Sequence, residues 1–220
     1  MSVIAGDVPG QKKNGSRRKW EMSEETILMH CSPVLAGIKT GNIFTCRVSD
    51  RSKLFAELKQ LNLELADKGL RVIPLVFRES SAIIYIYRPD SLREDLSRPL
   101  SRKILLQCGY RTDLSGRAGD PAVHHISFLS RRLSECGFCG EFPHEIGLFL
   151  GYPAEDVEGF IIHRGKNCKC SGVWKVYGDS ETAQKKFRQF QNCTRCYLES
   201  SRRGMSLRQL AVSRPSEGTR

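Results

Sequence analysis

Across 220 residues the chain has no apolar run approaching the roughly 18 residues that a membrane span requires, so a membrane-spanning helix is not expected. Its opening stretch, MSVIAGDVPGQKKNGSRRKW, is polar and basic and lacks the apolar core of a secretory leader, which predicts a cytoplasmic protein. No internal repeat is visible, which sets aside solenoid and propeller architectures. Glycine-rich loops of the P-loop or Rossmann type are missing as well, which removes the commonest phosphate cradles. His144-Glu145 begins like HExxH, but position 148 is Leu, so the second zinc ligand is absent and a metalloprotease is excluded. Cysteine, in contrast, is plentiful: nine residues, an odd number that without a leader argues against a disulfide framework and leaves metal ligation, redox chemistry or burial.

A hydrophobic content of 40% with 27% charged residues is ordinary for a globular protein, and the length suits one domain with a real core. The net charge of +11 is spread unevenly. Residues 1–21 carry five Lys/Arg against two acids and residues 201–220 carry five against one, so most of the excess sits at the two ends. That pattern predicts weak, salt-sensitive polyanion binding by tails and argues against specific nucleic-acid recognition. Residues 1–21 read as a flexible basic extension, with Met22 as a second plausible start in place of Met1, residues 22–212 as a single domain, and residues 213–220 as a disordered tail.

Ser23 with Glu24 and Glu25 opens a helix that continues to Cys31, and Ser32-Pro33 restarts a short one, because Ser caps well and Pro fits the first helical position. A strand follows at 43–48. Leu54, Leu58, Leu61 and Leu65 form one stripe of a helix over 51–68, stopped by Gly69. LRVIPLVF and AIIYIYR, separated by RESS, predict a hairpin whose first strand lies at an edge or carries a bulge, because Pro74 cannot donate to a ladder. Short helices at 90–97 and 99–108 are divided by Pro99. A polar loop at 111–120 leads to a helix over 121–136 with Val123, Ile126 and Leu133 among its apolar positions.

The densest stretch runs from Glu141 to Asp179. Ile146, Phe149 and Leu150, then Val157, Phe160 and Ile161, recur at helical spacing around Gly151 and Pro153, with Glu155 and Asp156 as the acidic first turn of the second helix. A polar loop, HRGKNCKCSG, precedes a strand through Val173, Trp174, Val176 and Tyr177. Ala183, Phe187, Phe190 and Tyr197 mark a long amphipathic helix whose polar side carries Lys185, Lys186, Arg188 and Arg195. With about four strands, mostly antiparallel, and helices out of strict alternation, the class is α+β.

HCSPVLAGIKTGNIF (30–44), GEFPHEIGLFLGYPAEDVEGFI (140–161), NCKCSGVWKVYGD (167–179) and FRQFQNCTRCY (187–197) resemble the bacterial domain-of-unknown-function family 3793, over roughly residues 22–212. The Cys136/Cys139 pair lies outside those segments. The resemblance implies a cytosolic protein, mainly of anaerobic bacteria, with no assigned activity. Some members sit beside flavodoxin or iron-related genes, which implies a redox or iron-related partner.

Three constellations carry candidate chemistry. Thiolates at close spacing suit zinc or iron–sulfur ligation, and Cys168, Cys170 and Cys193 are the candidate ligands, against burial as small core residues. Cys31 just before a helix N-terminus, with His30 beside it, would be an acidified catalytic thiol, although neighbours on a helix do not face each other. His144, Glu145, Lys166, Asn167 and Trp174 are candidate binding residues. The reading that joins these is a binding or accessory module with a thiol-rich edge for a metal or redox partner. Its rivals are a small thiol-dependent enzyme using Cys31 and a weak polyanion binder.

Overall fold

A run such as Ser81–Tyr87, SAIIYIY, has almost no polar side chain to offer water, and a strand of that kind is stable only when covered on both faces. The computed structural model describes residues 22–111, 120–136 and 142–213. The extension 1–21, most of the loop 111–120, Cys139 and all but the first residue of the tail lie outside the described residues. In chain order the elements are α1 (Glu24–Leu35), β1 (Gly41–Arg47), α2 (Arg51–Leu65) with a 3-10 turn at Ala66–Lys68, β2 (Arg71–Phe77) and β3 (Ser81–Tyr87). They continue with α3 (Pro89–Ser97), α4 (Pro99–Gln107), α5 (Pro121–Glu135), α6 (Ile146–Phe149), α7 (Ala154–His163), β4 (Cys170–Ser171), β5 (Lys175–Val176), α8 (Ser180–Arg202) and α9 (Leu207–Leu210). No helix among the described residues is long and apolar enough to cross a membrane.

The main sheet has the order β1-β3-β2, antiparallel throughout, so the apolar strand is the central one. Ala82, Ile84 and Ile86 face a core built from α1, α2 and α9, whereas Ile83, Tyr85 and Tyr87 face a second core built from α3 to α7. The α+β class follows, in three layers with helices on both sides of the sheet. The predicted hairpin is β2–β3, and Pro74 sits in the edge strand where the register shifts between Pro74 and Val76. A third cluster, Trp174, Val176, Ala183, Phe187 and Phe190, fastens the β4–β5 hairpin to α8.

Three readings are corrected by this arrangement. Ser32-Pro33 does not restart a helix; α1 runs through it, with Ser32 Oγ donating back to Leu28 O at 2.5 Å and Pro33 sacrificing one ladder bond in the last turn. The strand expected at 173–177 is only Lys175–Val176, paired with Cys170–Ser171 apart from the main sheet. Val123 is exposed, and the buried face of α5 is Ala122, His125, Ile126, Leu129 and Leu133. The long helix α8 is capped by Asp179, whose Oδ1 accepts from Glu181 N and Thr182 N.

The end of α1 meets the segment after α9 through one side chain. Arg88, 2% exposed, donates from Nε to Val34 O at 2.7 Å, from Nη1 to Lys68 O at 2.9 Å, and from Nη2 to Leu35 O at 2.8 Å and Val212 O at 2.7 Å. A cation at a helix C-terminus is favoured by the exposed carbonyls, and here the guanidinium fork spreads over the ends of α1, the 3-10 turn and the segment after α9. Replacing Arg88 with Met should lower stability by roughly 3–5 kcal/mol in urea unfolding, because several buried carbonyls lose their donor together. Arg88→Lys should not restore it, since one ammonium cannot span the same set of acceptors; a loss under about 1 kcal/mol in either variant would show that water replaces the fork.

Candidate functional site

Lys39 is placed by the way α1 stops. Gly37 takes the left-handed conformation at φ +74, with its N–H on Val34 O, and Ile38 N returns to Pro33 O. The chain then turns into β1 with the Lys39 side chain folded inward, 8% exposed. Its Nζ donates to Asn42 Oδ1 at 2.6 Å and lies 5.3 Å from the centre of the Tyr152 ring, while Asn42 Nδ2 donates to His30 O at 2.6 Å. No Asp or Glu among the described residues forms an ion pair with it. Burial lowers the amine to about 8, opposed by the nearby Cys31 thiol.

Two close approaches bring Tyr152 to this point. Gly41 has Tyr85 and Phe149 O so near that a Cβ would sit 2.6 Å from Tyr85 Cε2 and 2.8 Å from Phe149 O, and the Tyr85 hydroxyl donates to that same carbonyl at 2.5 Å. Gly151, at φ +72, lies against Thr40, and Thr40 Oγ1 in turn donates to Asp95 Oδ2 at 2.5 Å. Tyr152 then stacks on Trp174 with ring centres 4.9 Å apart, and Trp174 meets Phe187 edge-on at 4.6 Å. Asp156, buried at the start of α7, accepts from Trp174 Nε1, Tyr177 N and Gly178 N, each at 2.7 Å. The segments 30–44, 142–161 and 167–179 thus converge on Lys39 and the aromatic stack beside it.

The predicted site residues fall in separate places. Cys31 is wholly buried in the middle of α1, not ahead of a helix N-terminus, and burial pushes its thiol up to about 12 against the opposing effect of Lys39. His30 is exposed on the same helix and stacks on Phe44 at 5.9 Å. Cys168 and Cys170 are half-buried on the β4 side of the hairpin, and Cys193 is half-buried on α8 with its thiol raised to about 11 by burial and then by Cys196. Among the described residues no three His, Cys, Asp or Glu side chains come together to hold a metal ion, so Cys168, Cys170 and Cys193 do not form a ligand set. His144 packs its ring between Phe142 and Phe160, at 5.5 and 4.7 Å. Lys166 and Asn167 are exposed in the turn before β4, Asn167 at φ +57, and Lys166 O accepts from Tyr177 Oη at 3.0 Å. Trp174 is buried.

Glu145 stands elsewhere, 1% exposed, with Oε1 accepting from Tyr110 Oη at 3.0 Å and 2.8 Å from Arg132 Nε. The last contact is an ion pair without hydrogen-bond alignment. Cys108 adjoins the same carboxylate, and its thiol is raised to about 11 by burial first and by Glu145 second, against Arg132. Lys39, Cys108, Tyr110 and Arg132 carry no signal in the sequence beyond their residue types, and Asp156 reads there only as a helix-terminal charge.

A family model described as "Protein of unknown function (DUF3793)" matches residues 27–211. No curated protein and no solved structure matches the chain.

The sign of the Lys39 shift gives a pH-dependent prediction. A folded-state value near 8, below the 10.5 of the free side chain, means that folding is opposed by protonation of Lys39 at every pH below about 8. Lys39→Met should therefore be more stable than the parent at pH 6 to 7, by roughly 1–3 kcal/mol, with the advantage shrinking as pH rises through 8 toward 10.5. Urea melts across that range would show it; a variant less stable at pH 6 would mean that the ammonium is fully compensated where it lies.

Proposed function

The chain belongs to this family, and we propose that it acts as a binding module in which Lys39 anchors an acidic segment of a partner protein. The observation that carries the reading is the buried ammonium that lacks a carboxylate partner among the described residues. Such a charge is costly to bury, and a partner's carboxylate arriving at Asn42 and Tyr152 would supply the missing counter-charge. Ile38 and Val173, both exposed apolar side chains, border the position; the Tyr152 hydroxyl reaches Val173 O at 3.4 Å. An acidic residue flanked by apolar ones fits this edge better than a small polar metabolite does.

The directions of the thiol shifts favour binding over thiol catalysis. Cys31, Cys108 and Cys193 are all driven toward the protonated, unreactive form by burial, the opposite of what a nucleophile needs. Cys168 and Cys170 stand on the same hairpin as Trp174, so a redox partner docking on this edge would meet them; zinc or iron–sulfur ligation by these thiols has no geometric support. Lys185, Lys186, Arg188 and Arg195 are all exposed on α8, which supports weak polyanion binding as a secondary property.

Fluorescence anisotropy with labelled peptides carrying Asp or Glu between apolar residues, alongside their Asn and Gln counterparts, tests the main reading. The acidic peptides should bind the parent protein, and Lys39→Met should weaken them at least tenfold. Equal binding of acidic and amide peptides, or indifference to Lys39→Met, would end it.

A further inference from the structure

The two edges of the main sheet are finished differently. Along β2 the N–H and C=O of Val72 face away from β3, and Asn62 takes both: its Oδ1 accepts from Val72 N at 2.9 Å and its Nδ2 donates to Val72 O at 2.7 Å. Pro74 has no N–H to offer, the register shifts after it, and Leu75 O accepts from Ser130 Oγ. Proline, a bulge and covering side chains close an edge in this way because an open row of donors and acceptors invites another strand.

β1 has none of these devices. Thr40 O accepts from Arg88 N at 2.9 Å, and Val48 N donates to Ser80 O at 3.0 Å. By alternation Asn42, Phe44 and Cys46 also turn their peptide groups toward β3, and Ile43, Thr45 and Arg47 turn theirs outward. The register of β1 runs unbroken from Gly41 to Arg47 with no proline, and among the described residues no side chain bonds to those outward groups. Thr45 and Arg47 are exposed, and Arg47 forms no ion pair among the described residues.

This open edge begins beside Lys39. Asn42 points to the α1 side of the sheet, where its Nδ2 donates to His30 O, and Tyr152 comes from the α6–α7 corner on the other side. Lys39 Nζ meets both groups, so it lies at the rim where the two faces join.

We propose that β1 takes up an extended segment of a partner protein as a further strand, bonded to the outward groups of Ile43, Thr45 and Arg47, with an acidic residue of that segment at Lys39. The acidic residue rests on the reading of Lys39 given above; the added strand rests on the backbone alone. Main-chain hydrogen bonds hold such a segment whatever its sequence, and the acidic side chain fixes its register. Lys39 and Arg47, one toward each end of the edge, complement an acidic segment. A second copy of the chain suits the edge less well, because full antiparallel overlap of two β1 strands about Ile43 sets Arg47 opposite Lys39, cation against cation.

Titration of the full chain with a short peptide of alternating Val and Thr, with Asp at each end, tests this. The peptide should bind and slow hydrogen exchange at the Ile43 and Thr45 amides at least tenfold. N-methylation of every second peptide bond should abolish binding in one phase and leave it unchanged in the other, because only one side of an added strand faces β1. Thr45→Pro removes an outward donor without touching a bond to β3, and it should weaken the peptide at least tenfold. Equal binding of the two N-methylated forms, or no added protection at Ile43 and Thr45, would overturn strand addition, even where the Asp peptide still binds in a Lys39-dependent way. One-sided loss on N-methylation, with a peptide ending in Asn bound as tightly as the Asp form, would uphold the strand and overturn the acidic residue at Lys39. Protection of the same amides that rises with protein concentration in the absence of peptide would overturn the partner in favour of a second copy.

Discussion

The guanidinium of Arg88 is the contact on which the rest of the architecture depends. Four carbonyls from three separated parts of the chain end at one side chain. Backbone carbonyls at helix ends have no partner within their own helix, and burying them unpaired would cost more than the sheet hydrogen bonds nearby return. Arg88 follows directly on the central strand, so the group that closes the helix ends is fixed to the stiffest part of the sheet. The turn that leads from α1 to Lys39, and so the buried amine itself, begins at the helix end this fork holds.

A second constraint works by exclusion of bulk. Gly41 and Gly151 let the start of β1 and the α6–α7 corner touch, and only that proximity brings Tyr152 over the Lys39 amine. The aromatic chain from Tyr152 through Trp174 to Phe187 then transmits the position of α8 to the same point. Asp156 supports the arrangement from beneath as a fully used acceptor for the indole and two backbone amides, which makes it a positioning group and not a free acid.

Much of this was legible beforehand. The Leu54-Leu58-Leu61-Leu65 stripe, the β2–β3 hairpin, the bulge at Pro74 and the division of α3 from α4 at Pro99 follow from local rules of spacing and backbone chemistry. What escaped was set by partners distant in sequence. Lys39 is buried by Tyr152, more than a hundred residues away, and nothing in KTGN announces that. His125 faces inward while Val123 does not, because the phase of α5 is fixed by the layer it meets and not by apolar count alone. Cys31 was misread for a related reason: Ser-Pro is a start signal in isolation, but the packing of Val34 and Leu35 carries α1 through it.

The tie between Arg88 and Val212 also has a meaning for synthesis. Val212 N donates to Leu35 O while Val212 O accepts from Arg88, so the segment after α9 closes against α1. Contacts of such long sequence separation form late. At elongation rates of ~5–20 residues per second, α1 waits roughly ten to forty seconds on the ribosome for the strand of backbone that completes its end. During that interval the core that Leu207, Leu210 and Ala211 will complete lacks part of its cover.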